Sequence, residues 1–122
     1  GGEQRSVRNS DGAYCVRPGS YANATAGTIP KNVLEFGHAC RAQQQVKAFA
    51  RKHGLEPHGA PMPLALAEFL VRYLTAPGHL VIDPFGGSLT TGHAAERNGR
   101  RWLCTERNRD YLLAGASRFA MA

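Results

Sequence analysis

Cysteine is scarce and badly placed for cross-linking: Cys15, Cys40 and Cys104 are an odd three with no CxxC spacing. Neither a disulfide framework nor a zinc site follows from such a set, and reduced thiols in a cytoplasmic protein are the expectation. No apolar run approaches the about 20 residues that cross a bilayer, and no secretory leader pattern is present. A soluble chain with no membrane partner is expected. His38, His53, His58, His79 and His93 include no pair with ligand spacing on one helix, so no metal is expected. There is no G-x-G-x-x-G, which removes the dinucleotide fingerprint, and no internal repeat or low-complexity segment.

With 122 residues, 43% of them hydrophobic, the chain is large enough for one domain with little core to spare. Lysine and arginine outnumber the acids by 15 to 9, a net charge of +6 that suits a nucleic-acid partner but decides nothing alone. The arginines are scattered, and those at 97, 100 and 101 read as a solvated helix end that satisfies carbonyls.

The chemistry concentrates between His79 and Glu106, where the residues read as strand, glycine loop, helix and strand. The apolar run Leu80-Val81-Ile82 ends in Asp83, and Pro84 halts the strand because it has no N–H for the ladder. Phe85-Gly86-Gly87-Ser88 must then turn, with glycines that accept positive φ and close ligand approach. Ser88 reads as the N-cap of a helix continued by Thr90, Thr91, Ala94 and Ala95, whose free N–H groups face the loop and favour polar or anionic ligand groups. Gly99 stands at the helix's C-terminal cap, Arg101 to Thr105 form the second strand, and Glu106 closes it. An acid roughly 20 residues beyond a glycine loop is where nucleotide-binding sheets grip ribose hydroxyls. Glycine turns after strands are common in α/β proteins; the second acid is what points to an adenosine-containing ligand.

Asp83-Pro84-Phe85-Gly86-Gly87-Ser88-Leu89-Thr90-Thr91 resembles the DPFxGSGTT cofactor-loop signature of DNA methyltransferases that modify adenine N6 or cytosine N4. The downstream GRRWLCTERNRDYLLAGASRF is similar to that family's next strand, acid and helix. His58-Gly59-Ala60-Pro61-Met62-Pro63 is similar to the segment that precedes the loop in circularly permuted members. The resemblance covers residues 30 to 119 and implies an α/β, partial Rossmann-like S-adenosylmethionine-dependent methyltransferase fold, with few parallel strands flanked by helices. It further implies that Asp83 meets the methionine ammonium, that the backbone from Phe85 through Gly86 and Gly87 to Ser88 lines the methionine, and that Glu106 accepts from the ribose. His58, Ala60, Pro63 and Thr90 would border the same pocket.

Leu89 departs from the family's glycine. At positive φ it would strain the loop by about 1–2 kcal/mol. Within the helix's first turn it would cost nothing, and the register of Thr90-Thr91 favours the second case.

The family's amino methylation also uses an Asp, Asn or Ser followed by Pro-Pro and an aromatic residue, which grips a flipped-out base. No such tetrapeptide occurs in the sequence, and Asp83-Pro84-Phe85 is already the cofactor loop. The resemblance thus implies the S-adenosylmethionine-binding half of a DNA methyltransferase of restriction–modification type, inactive alone and with no catalytic residue of its own. DNA is the expected partner, joined by a second copy or a complementary catalytic chain, since strand His79 to Asp83 would present an apolar edge. Two alternatives are a non-catalytic cofactor-binding or partner subunit and a fragment of an RNA or protein methyltransferase.

Around this centre, residues 1–30 lack an apolar period and are expected to be a flexible or partner-ordered arm, with residues 31–122 as the cofactor-binding domain. A helix is expected from Ala39 to His53 on the spacing of Ala42, Val46, Phe49 and Ala50, ended by Gly54. Pro63 suits the first turn of another, with Leu66, Phe69, Leu70, Tyr73 and Leu74 as an apolar stripe that packs on the sheet until Pro77-Gly78. A last helix, begun by Asn108 and carrying Tyr111, Leu112 and Phe119, is expected to cover the sheet as well.

Overall fold

The computed structural model describes the backbone at residues 6–8 and 14–16, and residues 32–37 and 40–120 in full. Most of the expected N-terminal arm, together with His38 and Ala39, lies outside the described residues. The chain divides into two compact units, Gly1–Asn32 and Val33–Ala122. In the first, β1 (Ser6–Arg8) and β2 (Tyr14–Val16) pair antiparallel, with Val7 opposite Cys15. Strands of three residues are too short to display an alternating pattern, so nothing in the sequence announced them.

The second unit runs α1 (Arg41–Lys52), α2 (Leu64–Leu74), β3 (Leu80–Asp83), α3 (Thr90–Arg97), β4 (Arg101–Cys104) and α4 (Arg109–Ala116). β3 and β4 pair in parallel, with Ile82 opposite Leu103 and Asp83 opposite Cys104, and α3 makes the crossover that a parallel pair requires. The ladder runs one step past β4: Thr105 N–H donates to the Asp83 carbonyl at 3.0 Å, and Gly86 N–H donates to the Thr105 carbonyl at 2.8 Å. Three ends are fixed by local chemistry that the sequence displays. Gly54 and Gly99 take positive φ after α1 and α3, and the Asn108 side chain caps α4 by accepting from the N–H groups of Asp110 and Tyr111.

The core is built from small residues. Val46 and Ala50 of α1 meet Ala114 of α4, with Leu55 against them. Ala67 and Val71 of α2 meet Ala94 of α3, with Val81 of β3 alongside. Among the described residues no large side chain is fully buried. α2 therefore departs from the expected stripe: it packs through Ala67 and Val71, while Tyr73 and Leu74 are 63% and 70% exposed. The physical reason is that α2 is apolar nearly all round, so periodicity cannot choose its inner face, and close approach to Ala94 favours the small residues.

α4 also departs from expectation. It covers α1 and the glycine loop, with Ala114 on the α1 core and Gly115 beneath Ser88 and Leu89. The sheet consequently has one dressed face. Val81 and Trp102 point toward the helices, whereas Leu80, Ile82 and Leu103 on the other face are exposed, Ile82 by 62%. Behind the sheet, Trp102 donates its indole N–H to Glu96 at 2.8 Å and stacks on Phe119, ring centres 4.7 Å apart.

The seat of α4 yields a test. A Cβ on Gly115 would lie 2.7 Å from the Ser88 carbonyl carbon and 2.8 Å from Leu89 Cγ. Overpacking of this kind costs about 1–3 kcal/mol, more than the about 1 kcal/mol that alanine gains over glycine inside a helix. Gly115→Ala is expected to lower the urea unfolding midpoint, although the same change in an unconstrained helix raises it.

Candidate functional site

The turn between β3 and α3 is buried from Gly86 to Leu89, and the burial continues into Thr90 at the start of α3. Such a stretch must find partners for its peptide groups, because an unpaired buried N–H or C=O costs about 1–3 kcal/mol. Gly86 uses Thr105, as above. Gly87 N–H donates to Glu106 Oε2 at 2.8 Å, and Leu89 N–H donates to the Gly86 carbonyl at 2.8 Å. The Ser88 carbonyl accepts from Arg118 Nε at 2.6 Å.

The two acids flank this turn at the same ends of the two parallel strands. Asp83 Oδ1 accepts from the N–H of Phe85 at 2.9 Å and Oδ2 from the Thr91 hydroxyl at 2.6 Å. Glu106 Oε1 accepts from Asn108 N–H at 2.8 Å while Oε2 holds Gly87, so one carboxylate ties the loop to the start of α4. The backbone hydrogen bonds from Asn108 first, and then from Gly87, hold the Glu106 carboxyl below the ordinary carboxylate value. Each oxygen retains a second lone-pair direction for a hydroxyl or ammonium donor.

His58 stands over the loop. Its Nδ1 accepts from Ala60 N–H at 3.2 Å, its ring meets Tyr111 edge-on at 4.7 Å, and a Cβ on Gly87 would fall 3.0 Å from Nε2. Gly87 has φ +52°, so both its backbone angle and the imidazole above it demand the absence of a side chain. Tyr111 donates to Glu56 at 3.2 Å, and desolvation followed by that acid's charge raises the phenol's pKa.

His58, Ala60, Asp83, Phe85, Gly86, Gly87, Ser88 and Thr90 line one cleft of about 170 Å³, so eight of the ten residues expected at the site are brought together. Pro63 is instead a buried residue at the N-terminus of α2, and Glu106 is outside the cleft lining but hydrogen-bonds Gly87, which lines it. Phe85 is 87% exposed at the rim. Pro61, Met62 and Thr91 also line the cleft. The pair Thr90-Thr91 gave the only sequence signal for Thr91; its hydroxyl bond to Asp83 depends on the helix register and could not be read. Among the described residues no three His, Cys, Asp or Glu side chains form a metal site, and no helix is long and apolar enough to cross a membrane.

Two expectations about the loop are corrected. Leu89 is not within the helix: it precedes α3 in the left-handed conformation, φ 58° and ψ 30°, and is only 4% exposed. Ser88 is not the helix cap, because Leu89 occupies that position and no side chain caps α3. The strain is tolerated because burying leucine contributes about 1.5–3 kcal/mol, against about 1–2 kcal/mol for the left-handed angle.

Arg118, one of the scattered arginines, holds this turn from behind. Besides Ser88, it reaches the Thr90 hydroxyl at 3.1 Å and lies 3.4 Å from His93 Nδ1. Burial, then the charges of Arg118 and Arg97, lower the pKa of His93, favouring a neutral ring beside the guanidinium. The thiol of Cys104 is pushed up, chiefly by burial and then by Asp83, which keeps it protonated and inert. Of the arginines expected to satisfy carbonyls at a helix end, Arg100 and Arg101 do so, although Arg100 is half-buried, whereas Arg97 pairs with an acid. Arg100 donates to the carbonyls of Asn98 and Thr75, both at 2.7 Å, and Arg97 pairs with Glu68 at 2.8 Å.

Two tests follow. Leu89→Ala keeps the left-handed strain and Leu89→Gly relieves it, so the glycine variant is expected to be the more stable by about 1 kcal/mol in urea titrations. The ordinary order, alanine above glycine, would show that Leu89 does not hold this angle in solution. For Glu106, a folded pKa below the unfolded one means a contribution that is complete above the unfolded value, about 4.3, and is lost as pH falls through the folded value. The stability gap between wild type and Glu106→Gln should therefore shrink from pH 7 to pH 3; a constant gap would show that the carboxylate's charge does not hold the loop.

Comparison with known proteins agrees with this geometry. Residues 4–116 match the N6/N4 DNA methylase family. Type II methyltransferase M.PvuII of Proteus hauseri is 40% identical over 100 residues, covering 82% of this chain and 30% of that protein. The solved PvuII DNA methyltransferase, cytosine-N4-specific, superposes with a TM-score of 0.68 and 42% identity over 75% of this chain and 32% of its own. A crystal structure of an M1.HpyAVI–SAM complex superposes at 0.50 with 34% identity, over 51% of this chain and 30% of its own. The chain thus spans about a third of the length of each of these proteins. Its fold is that of S-adenosylmethionine-dependent methyltransferases, and the chain belongs to the N6/N4 DNA methylase family.

Proposed function

We propose that the chain is the S-adenosylmethionine-binding half of a DNA amino-methyltransferase acting on adenine N6 or cytosine N4, and that it does not transfer methyl groups alone. The observation that carries this reading is the pair of carboxylates, Asp83 and Glu106, at the same ends of two parallel strands with a buried glycine turn between them. Open α/β sheets bind ligands outside the carboxyl ends of their strands.

The residues present fit the cofactor. Asp83 offers lone pairs for an ammonium group, and the oxygens of Glu106 have free directions for two ribose hydroxyls. His58 and the Phe85 to Ser88 backbone border the same space. Pro63 would act indirectly, by setting the entry into α2. When bound, S-adenosylmethionine supplies the methyl group from its sulfonium. The chain's own part is to hold and orient it. The cleft of about 170 Å³ is smaller than the roughly 300 Å³ at the low end of ligand pockets. That supports a site completed by further protein.

No Asp, Asn or Ser followed by Pro-Pro and an aromatic residue occurs in the sequence, so the base-gripping segment must be supplied from elsewhere. The outer edge of β3, unpaired among the described residues, and the exposed Leu80, Ile82 and Leu103 favour a second copy or a complementary catalytic chain as the source of that wall. Residues 31–122 would be the cofactor-binding domain, residues 1–30 the arm, and DNA in the cytoplasm, within a restriction–modification setting, the substrate. The missing tetrapeptide equally favours a non-catalytic binding subunit as the second reading.

Calorimetric titration with S-adenosylmethionine and S-adenosylhomocysteine tests the cofactor reading. Saturable binding is expected, weakened about tenfold or more by Asp83→Ala and by Glu106→Ala, as befits loss of a charge-assisted hydrogen bond. No binding by the folded wild type, or binding indifferent to both substitutions, would overturn it. Unfolding of both variants would make the two acids structural.

A further inference from the structure

We propose that Arg118 is a positioning residue for the cofactor loop, holding the Ser88 carbonyl, and through it the left-handed turn at Leu89, from outside the cleft. The inference rests on the cofactor reading above for its functional consequence, but its geometry stands independently.

Arg118 lies just beyond α4, thirty positions from Ser88, and two of its three side-chain nitrogens face Ser88 and Thr90. Nε donates to the Ser88 carbonyl at 2.6 Å, one terminal nitrogen reaches Thr90 Oγ1 at 3.1 Å and Ser88 Oγ at 3.4 Å, and the other faces His93 at 3.4 Å. No carboxylate among the described residues pairs with it. A half-buried guanidinium without an acid is an expensive way to satisfy one carbonyl, since it remains charged at neutral pH. Its planar fork, however, engages a backbone oxygen and two hydroxyls together, across the peptide that enters Leu89. The next residue must take φ 58°, and the N–H of Leu89 must find the Gly86 carbonyl. Fixing the Ser88 carbonyl orients that whole peptide plane, because its C=O and the Leu89 N–H are rigidly opposed.

The arginine is itself held. Its N–H donates to the Gly115 carbonyl at 3.0 Å, and the adjacent Phe119 stacks on Trp102 of β4. The path from β4 through Phe119 and Arg118 to Ser88 therefore braces the loop through a residue that does not line the cleft. Glu106 and Arg118 grip adjacent residues of the turn, one at the Gly87 N–H and the other at the Ser88 C=O.

The test compares Arg118→Met, Arg118→Lys and, as a control in the α1–α4 core, Val46→Ala. Each is measured by urea unfolding, by amide hydrogen exchange and by calorimetric titration with S-adenosylhomocysteine under conditions where every variant is folded. Arg118→Met is expected to speed exchange at residues 86–90 relative to α1 and to raise the Kd about tenfold, the scale of a hydrogen bond to a charged group. Arg118→Lys should recover part of both, since an ammonium lacks the fork. Val46→Ala should lower the urea midpoint and leave the Kd unchanged. If Arg118→Met fails to fold, Arg118→Lys carries the comparison. Unchanged exchange at residues 86–90 in the variant carrying the comparison overturns the role of Arg118. So does a Kd shift that Val46→Ala reproduces, which would reduce the arginine to general stability. Failure of the folded wild type to bind the ligand overturns the cofactor reading instead, and the exchange data still decide whether Arg118 orders the loop.

Discussion

Four consecutive buried residues outside any helix or strand, Gly86 to Leu89, running into buried Thr90 at the start of α3, set the terms for the rest of this unit. A buried turn cannot use water to satisfy its peptides, so each partner has to be built into neighbouring segments. The residue after β4 supplies the Thr105 carbonyl, the next one the Glu106 carboxylate, and the turn beyond α4 supplies Arg118. α4 sits where it does because Gly115 lets its backbone come within contact of Ser88 and Leu89. The loop thus organises the secondary structure around it as much as the strands present the loop.

The same demand explains the composition of the core. Alanines at 50, 67, 94 and 114 let helices approach closely, which brings their ends and connecting turns within hydrogen-bonding reach of the loop. Small residues bury little apolar area, so this unit draws comparatively little from the hydrophobic effect and depends more heavily on satisfied polar contacts. This unit shapes one turn around buried Leu89, and several of its large apolar residues, Ile82, Leu103 and Tyr73 among them, are exposed.

What the sequence made legible was local. Pro84 after an apolar run, glycines at 54 and 99, and Asn108 before an amphipathic stretch each act through their own backbone or near neighbours, and each stands where it was expected. The match to the cofactor-loop signature placed the turn and Asp83, because that signature compresses a tertiary arrangement into adjacent letters, and the acid closing the second strand gave Glu106. The failures were non-local. Leu89 takes an angle that its side chain disfavours because burial and the loop's partners outweigh the preference, and no local rule contains that balance. The inner face of α2 is chosen by Ala94, the seat of α4 by Gly115, and the use of Arg118 by a carbonyl thirty residues away. A residue type shows what it can donate, not which distant peptide will need it.

Trp102 is the chain's single tryptophan, and it stacks on Phe119, the neighbour of Arg118. Indole emission responds to the ring against it and to the water around it, so the molecule carries an optical reporter at the joint between its sheet and the segment that grips the loop. Fluorescence from this chain is therefore not an average over many sites. It reads one contact, the Trp102–Phe119 stack, without a label, and separates loosening behind the cofactor turn from unfolding elsewhere.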